Sequence, residues 1–406
     1  MLQKPIKMPL LIKNGRIYQN GVLTAKNIFI ESGKIRKITD SEVQAKEVID
    51  AKGKIVIPGI IDPHVHIREP GLTHKEDFQS GSRAAAKGGI TTFLDMPNTM
   101  PPTTNAERLE EKRRLARKSV VNYGFHFGST LDNLDEIKNA KNIASVKIYM
   151  DPTTGDLKIE DLGVIEDIFK TGRMIALHAE GDNIKKIIEI IKKTGKKAYF
   201  CHVSSEKELQ FTQDHETKNN VLVEVTPQHL FLTSEDAEKL GSLAEMKPRL
   251  KARRDQEALW KGIREGTVDT IGTDHAPHLL EEKRKVSFPY GIPGLETMLP
   301  LMLNAVNEGR LELKTLVKLC CENPAKIFKI KSKGFIKEGY DADLTIVDMP
   351  LVKEVKNEEL ETKCKWSPFN GWKLKGWPVM TIVNGNIVFD GKEIKNIRAK
   401  EVEYGA

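Results

Sequence analysis

Between residues 55 and 271 the chain alternates eight apolar, β-like runs with polar or helical stretches. The runs are residues 55–65, 90–96, 121–127, 145–150, 174–177, 197–203, 221–225 and 268–271. Short runs that are apolar nearly throughout suit parallel strands covered on both faces. Helical periodicity lies between them, as over residues 105–118 and 183–193. Eight alternating β/α units predict a TIM-type (β/α)8 barrel of the α/β class, with a doubly wound open sheet as the alternative.

The two ends have a different pattern. Residues 10–12, 16–18, 27–30 and 34–38 read as short strands, with turns at Asn14-Gly15 and Ser32-Gly33. Residues 342–347, 379–383 and 386–389 mirror them, and Asn384-Gly385 favours a hairpin. We therefore expect a smaller composite β-sandwich domain formed by both ends. Residues 1–56 and 336–406, the latter with an extension, would flank a barrel over 57–335.

Functional groups of such a barrel gather at the C-terminal ends of its strands. The first run ends in Asp62-Pro63-His64-Val65-His66 and the second in Asp95-Met96-Pro97-Asn98. The fourth holds Lys147 and is followed by Asp151; the fifth ends in His178-Ala179-Glu180. Cys201-His202 ends the sixth, and Gly272-Thr273-Asp274-His275 the eighth. His64 and His66, two apart on a strand, face one side. Imidazole suits zinc. Each histidine alone is ambiguous, but their coincidence on one rim points to a metal site. A hydroxide shared by two divalent ions there is a strong nucleophile near neutral pH, and Asp274 can both ligate and shuttle protons.

Composition narrows the classes further. No run of about 18 apolar residues is present, and residues 1–13 lack the apolar core of a secretory signal, so neither a membrane span nor export is expected. Four cysteines without a CxxC pair suggest a reducing, cytoplasmic setting. The net charge of +7 is spread along the chain. Lys112-Arg113-Arg114, Arg253-Arg254 and Lys283-Arg284-Lys285 read as solvated faces rather than a nucleic-acid motif.

The run from His64 through Arg68-Glu69-Pro70-Gly71, then Met96-Pro97-Asn98-Thr99, Gly272 to His278, Pro293-Gly294-Leu295-Glu296-Thr297 and Ser367-Pro368-Phe369-Asn370-Gly371, resembles the dihydroorotase family of the amidohydrolase superfamily. The match runs in order over nearly the whole chain. It implies zinc-dependent, reversible interconversion of N-carbamoyl-L-aspartate and (S)-dihydroorotate in pyrimidine synthesis. It also implies two zinc ions: His64, His66 and Asp274 would bind the first, His178 and His202 the second. Lys147, carboxylated by CO₂ to a carbamate, would bridge them, with Asp151 as the alternative bridge. Asp274 would be the acid/base.

By the same resemblance, Arg68, Asn98 and His278 would clamp the substrate carboxylate. Pro293 and Gly294 would approach its ring, and Thr153 and Thr154 would contact it from a loop. From the residues themselves, Glu224 and His229 on the seventh unit are candidates for an extra metal, with packing or support of the site the favoured reading, and His275 would stand behind it. Lys247 stands where many bacterial members have a substrate-contacting Asn, so that role is not carried over. Cys201 would pack beneath its neighbour; His74, His126 and His215 have no motif context. The expected partner is a small anionic substrate, with neither nucleic acid nor membrane; association with a transcarbamoylase is left open. The rivals are other cyclic amidases (hydantoinase, dihydropyrimidinase, allantoinase) and a non-catalytic scaffold paralogue.

Overall fold

The computed structural model describes residues 9–41, 43–153, 155–214, 217 and 219–405. A TIM barrel forms its centre. Its strands, in order, are Ile60–Val65, Ile90–Asp95, a third in two pieces (Asn122–Phe125 and Phe127–Gly128), Val146–Tyr149, Ile175–His178, Ala198–Phe200, Val221–Val225 and Thr270–Ile271. Every ladder between neighbours is parallel. The third strand breaks at His126, a buried residue whose ring bonds Ser145 Oγ at 2.7 Å and the Pro63 carbonyl at 2.9 Å.

The seam between the eighth and first strands is closed mainly by a side chain. The Asp62 carboxylate accepts the Thr273 N–H at 3.0 Å, the Thr273 hydroxyl at 2.5 Å and the His64 N–H at 3.2 Å. Complete burial pushes this carboxyl up to about 7 against the pull of those donors. Beyond it, His66 N–H donates to the His275 carbonyl at 2.8 Å.

Outer helices follow the expected periodicity. In Asp182–Thr194 the buried residues Ile184, Ile187, Ile188 and Ile191 fall at spacings of three and four, one stripe facing the strands. Gly195, in the left-handed region, stops the helix and donates to the Ile191 carbonyl. Ala106–Ala116 starts at Asn105, whose side chain accepts the Arg108 N–H at 2.9 Å.

Both ends of the chain build the β-sandwich domain. Its eight-stranded sheet joins Leu10–Gln19, Val22–Glu31, Lys34–Thr39, Glu47–Asp50 and Ile55–Pro58 to Leu344–Glu354, Lys373–Val383 and Asn386–Phe389. Two expectations change here. Asn14-Gly15 is not a turn but a bulge within one ten-residue strand, with Asn14 at φ 57°. Residues 55–65 are not one strand. Ile55–Pro58 pairs with Leu344–Glu354, and the chain then turns at Gly59, where a Cβ would lie 2.1 Å from Thr91 Oγ1, to enter the barrel. The Asn384-Gly385 hairpin forms as read, with φ of 48° and 75°.

The barrel floor is closed by a cluster including Ile61, Leu94, Tyr199, Phe328 and Val402. Val402 belongs to a segment that runs along the third strand: Tyr123 N–H donates to the Lys400 carbonyl and Val402 N–H to the Tyr123 carbonyl.

Two of the basic clusters are not wholly solvated. Lys112 is buried, 2.6 Å from Asp95 Oδ2 and 2.6 Å from the Met96 carbonyl. Lys283 is buried against the carbonyls of Glu245, Pro289 and Gly291, at 2.8–3.1 Å, and burial pushes its ammonium down to about 8. Both lysines satisfy inward-facing carbonyls that no helix or strand takes up. Among the described residues, no helix is long and apolar enough to cross a membrane.

Candidate metal centre

The C-terminal strand ends open on a small cavity. Its wall carries His64, His66, Lys147, His178, His202 and Asp274 together, all buried. Strand geometry explains the grouping. His64 and His66 leave the first strand on one face, Lys147 lies on the fourth, and the rest follow the fifth, sixth and eighth. His202 and Asp274 adopt left-handed φ values of 40° and 46°, an arrangement that non-glycine residues hold only where the surroundings enforce it.

Three electron-pair donors converge first. Asp274 Oδ1 lies 3.0 Å from His66 Nε2 and 3.3 Å from His64 Nε2. The opposite ring nitrogens are already engaged: His64 Nδ1 lies 2.7 Å from Glu224 Oε1, and His66 Nδ1 lies 2.6 Å from Asn98 Oδ1. Both acceptors require a proton on Nδ1, which leaves both Nε2 lone pairs aimed at Asp274. Three acceptors facing one another in a buried space call for a cation. Burial alone would push the His64 imidazole down, but the Glu224 and Asp274 carboxylates beside it outweigh that and hold it well above its usual value, so a proton on Nε2 is one cation that meets this demand. His66, more weakly countered, is pushed by burial down to about 3.

The second pair lies alongside. His178 Nδ1 is 2.9 Å from His202 Nε2, and the rings are 4.5 Å apart. His202 Nδ1 is buried without a hydrogen-bond partner among the described residues, and His178 Nε2 faces the Glu180 carboxylate at 3.4 Å. Lys147 Nζ, completely buried, donates to Cys201 Sγ at 2.9 Å and has no carboxylate in ion-pair contact among the described residues. The donor set and the partnerless His202 Nδ1 fit a metal centre.

Asp151, by contrast, is off this wall. One carboxylate oxygen accepts the Glu180 N–H at 2.7 Å and the other the Asn183 side-chain amide at 2.9 Å, so it secures the start of the helix Asp182–Thr194.

Glu224 ties the centre together. Besides His64, its Oε1 accepts the His202 N–H at 2.9 Å, and Oε2 accepts the Tyr199 hydroxyl at 2.7 Å. His229 does not face the cavity: its ring bonds Thr226 Oγ1 at 2.8 Å and the Pro248 carbonyl at 3.1 Å. Cys201 packs beneath, as read, with Lys147 as its partner.

Arg68, Asn98 and Thr153 line the same cavity. Arg68 is 2% exposed, a guanidinium held indoors for a reason. Its Nε donates to the Pro277 carbonyl at 3.2 Å. His278 stands behind it, off the cavity wall, with Nε2 3.1 Å from the Arg68 guanidinium and 2.9 Å from the Tyr290 carbonyl. Lys75 Nζ donates to His278 Nδ1 at 3.1 Å, which places the ring proton on Nε2. Burial, with Arg68 and Lys75 adding to it, pushes His278 far below its usual value, so it is neutral.

Pro293 and Gly294 line a neighbouring space behind His275 rather than the main cavity. Gly294 N–H donates to His275 Nδ1 at 3.1 Å. Thr154 and His215 lie outside the described residues. The wall also contains Tyr149, Lys247, Ala276, Tyr290 and Gly291, which the motifs did not single out as site residues. Tyr149 had a usable signal, standing two residues after Lys147 on one strand. Gly291 had only its residue type: at φ 142° a Cβ there would meet the Ala276 carbonyl at 2.5 Å. Gly71, in the Arg68-Glu69-Pro70-Gly71 turn, is forced likewise, at φ 85° with a Cβ 1.9 Å from the Met100 carbonyl.

The profile of the Amidohydrolase family matches residues 55–388. The chain is 38% identical to the dihydroorotase of Methanosarcina mazei, over 93% of each protein. It is also 38% identical to the dihydroorotase of Pyrococcus furiosus, over 90% of this chain and 89% of that one. Among solved structures, the L-hydantoinase (dihydropyrimidinase) from Arthrobacter aurescens is similar with a TM-score of 0.92 at 30% identity, covering 98% of this chain and 100% of that one.

Proposed function

We infer the function from the premise that the chain belongs to the amidohydrolase family: its activity is that of a dihydroorotase, a hydrolase acting on a cyclic amide. It interconverts N-carbamoyl-L-aspartate and (S)-dihydroorotate, a step of pyrimidine synthesis. The observation that carries the substrate is Arg68, a buried guanidinium on the same wall as the convergent histidines and Asp274. A planar, two-pronged donor suits a carboxylate, which dihydroorotate has and the plain hydantoin and dihydropyrimidine rings lack.

We propose that His64, His66 and Asp274 would hold one zinc ion and His178 and His202 a second, with Lys147 as a carbamate between them. The convergent Nε2 atoms, the partnerless His202 Nδ1 and a buried Lys147 amine without a carboxylate partner support this assignment. Both carboxylate oxygens of Asp151 are engaged elsewhere, which favours Lys147 as the bridge. When bound, the metal polarises the amide carbonyl and brings the pKa of water near neutrality.

The chain's own residues do the rest. Arg68 and Asn98 hold the substrate carboxylate and so fix the ring against the centre. His278 packs behind Arg68, and the Gly294 N–H holds His275 one layer further back. Thr153 faces the substrate from the loop after the fourth strand. Asp274 accepts the proton of the attacking water and returns it to the departing ring nitrogen; the nearby histidines and Lys147 overcome the effect of burial and keep this carboxyl ionised. Glu224 keeps His64 in the tautomer that presents Nε2.

The four cysteines are unpaired and buried, which supports a cytoplasmic setting. The partition between residues 1–56, 57–335 and 336–406 is proposed on the same basis as the sheet pairings. The test is turnover of dihydroorotate with and without a chelator, beside a panel of hydantoin, dihydrouracil and allantoin. Dihydroorotate should be favoured and its turnover lost on chelation. A higher kcat/KM on a neutral ring would overturn the reading.

A further inference from the structure

We propose that Lys247 is a specificity-determining residue that makes the cavity bind the open, doubly charged partner of the substrate pair more tightly than the singly charged ring. This rests on the dihydroorotase reading. Lys247 lines the cavity with Arg68 and Tyr290, and its Nζ lies 5.0 Å from the centre of the Tyr290 ring. The residue is half-buried and, among the described residues, has no carboxylate in ion-pair contact.

Its backbone is fixed on both sides. His229 Nε2 is bonded to the Pro248 carbonyl at 3.1 Å, which explains that buried histidine without giving it a role in the cavity. Glu245 accepts the Gly291 N–H at 3.0 Å, and Lys283 Nζ ties the Glu245 and Gly291 carbonyls together at 2.8 and 3.1 Å. The segments carrying Lys247 and Tyr290 are therefore joined, which keeps the ammonium and the ring side by side on the wall.

Arg68 and Lys147 are the other wall cations without a carboxylate in ion-pair contact among the described residues; Lys147 is committed to the proposed centre, and one ring carboxylate suffices for Arg68. Hydrolysis of the ring amide creates a second carboxylate, so the open form carries two negative charges and the ring one. The Glu180 carboxylate feels this ammonium only through space, and a half-buried ammonium without a carboxylate in contact interacts more strongly with the ligand of greater charge. The histidines and Asp274 serve the reacting bond in either direction, whereas Lys247 distinguishes the two ground states.

The experiment measures initial rates in both directions for the wild-type enzyme, Lys247→Gln, Lys247→Arg and, as a remote charge control, Lys314→Gln. In Lys247→Gln the KM for N-carbamoyl-L-aspartate should rise about five- to tenfold and that for dihydroorotate less than about twofold, the scale of one charge pair at partial exposure. Since the solution equilibrium is unchanged, kcat/KM must change by one factor in both directions, so the asymmetry is confined to KM and kcat separately. Lys247→Arg should restore the wild-type KM ratio, and Lys314→Gln should match wild type. Added salt should narrow the ratio in wild type and leave it flat in Lys247→Gln. Equal changes in both KM values, or none, would overturn the proposal while leaving the activity intact. Wild-type enzyme that turned over neither compound would instead overturn the dihydroorotase reading, and this inference with it.

Discussion

The Glu224 carboxylate accepts the Nδ1 proton of His64 at 2.7 Å, and the same oxygen accepts the His202 backbone N–H at 2.9 Å. One buried acidic group thus orients proposed ligands of both ions. Glu224→Gln keeps a carbonyl oxygen but loses the charge and one acceptor. Zinc affinity should fall about 10- to 100-fold with the far-ultraviolet circular dichroism unchanged. Metal content after equilibration in zinc buffers measures this; unaltered affinity would remove Glu224 from the role.

Asp274→Asn tests the proton shuttle. The amide preserves the shape of the side chain but cannot take the proton of the attacking water. Turnover should fall about 10²- to 10⁴-fold while the thermal transition stays within a few degrees. A variant keeping most of its kcat would exclude Asp274 as acid/base.

Arg68→Met separates carboxylate binding from chemistry. Loss of a buried, charge-assisted contact should lower kcat/KM for dihydroorotate about 10- to 100-fold. The low rate on dihydrouracil, which has no carboxylate, should not change. Equal losses on both rings would show that Arg68 serves the fold rather than the substrate.

Reconstitution addresses Lys147. Chelated enzyme should be inactive. On adding zinc in buffer freed of CO₂ it should recover slowly, and bicarbonate should hasten the recovery, because the bare ammonium cannot ligate a cation. Lys147→Ala should not respond to bicarbonate. Recovery at one rate with or without bicarbonate would count against the carbamate.

Asp269 gives a pH signature of stability away from the centre. Burial pushes its carboxyl from the usual range up to about 6, although the Val223 N–H, donating at 2.8 Å, opposes the shift. A raised folded-state pKa means a contribution fully present below about pH 4 and lost as pH rises through about 6. Asp269→Asn retains an acceptor for Val223 N–H and cannot ionise. It should be more stable than wild type by about 1–2 kcal/mol at pH 7.5, allowing for partial exposure, with the gap closing near pH 4.5. Urea titrations at the two pH values decide the point.

The rim of ligand-type residues is legible in the sequence because a barrel strand ends where its function begins: His64, His66, Lys147, His178, His202 and Asp274 each sit in or just past an apolar run. The wall residues Tyr290 and Gly291 are not legible, since loops reach the cavity by paths that no period encodes. Pro293-Gly294 shows the same difficulty from the other side, a motif two residues further on that supports His275 instead of facing the cavity. Asn14-Gly15 reads as a turn, yet Ile12 before it and Gly15 and Arg16 pair with Val22–Glu31, and long-range pairing overrides the local preference. Lys112 and Lys283 read as surface charge because a charged triplet does not record which of its members points inward.

Val402 sits in the barrel floor beside Phe328 and Ile61, and its segment is hydrogen-bonded along the third strand. Translation makes the eight strands long before it makes this plug. A chain lacking residues 400–404 would therefore leave the apolar surface of Ile61 and Phe328 uncovered, so the candidate metal rim depends on a segment remote from it in sequence.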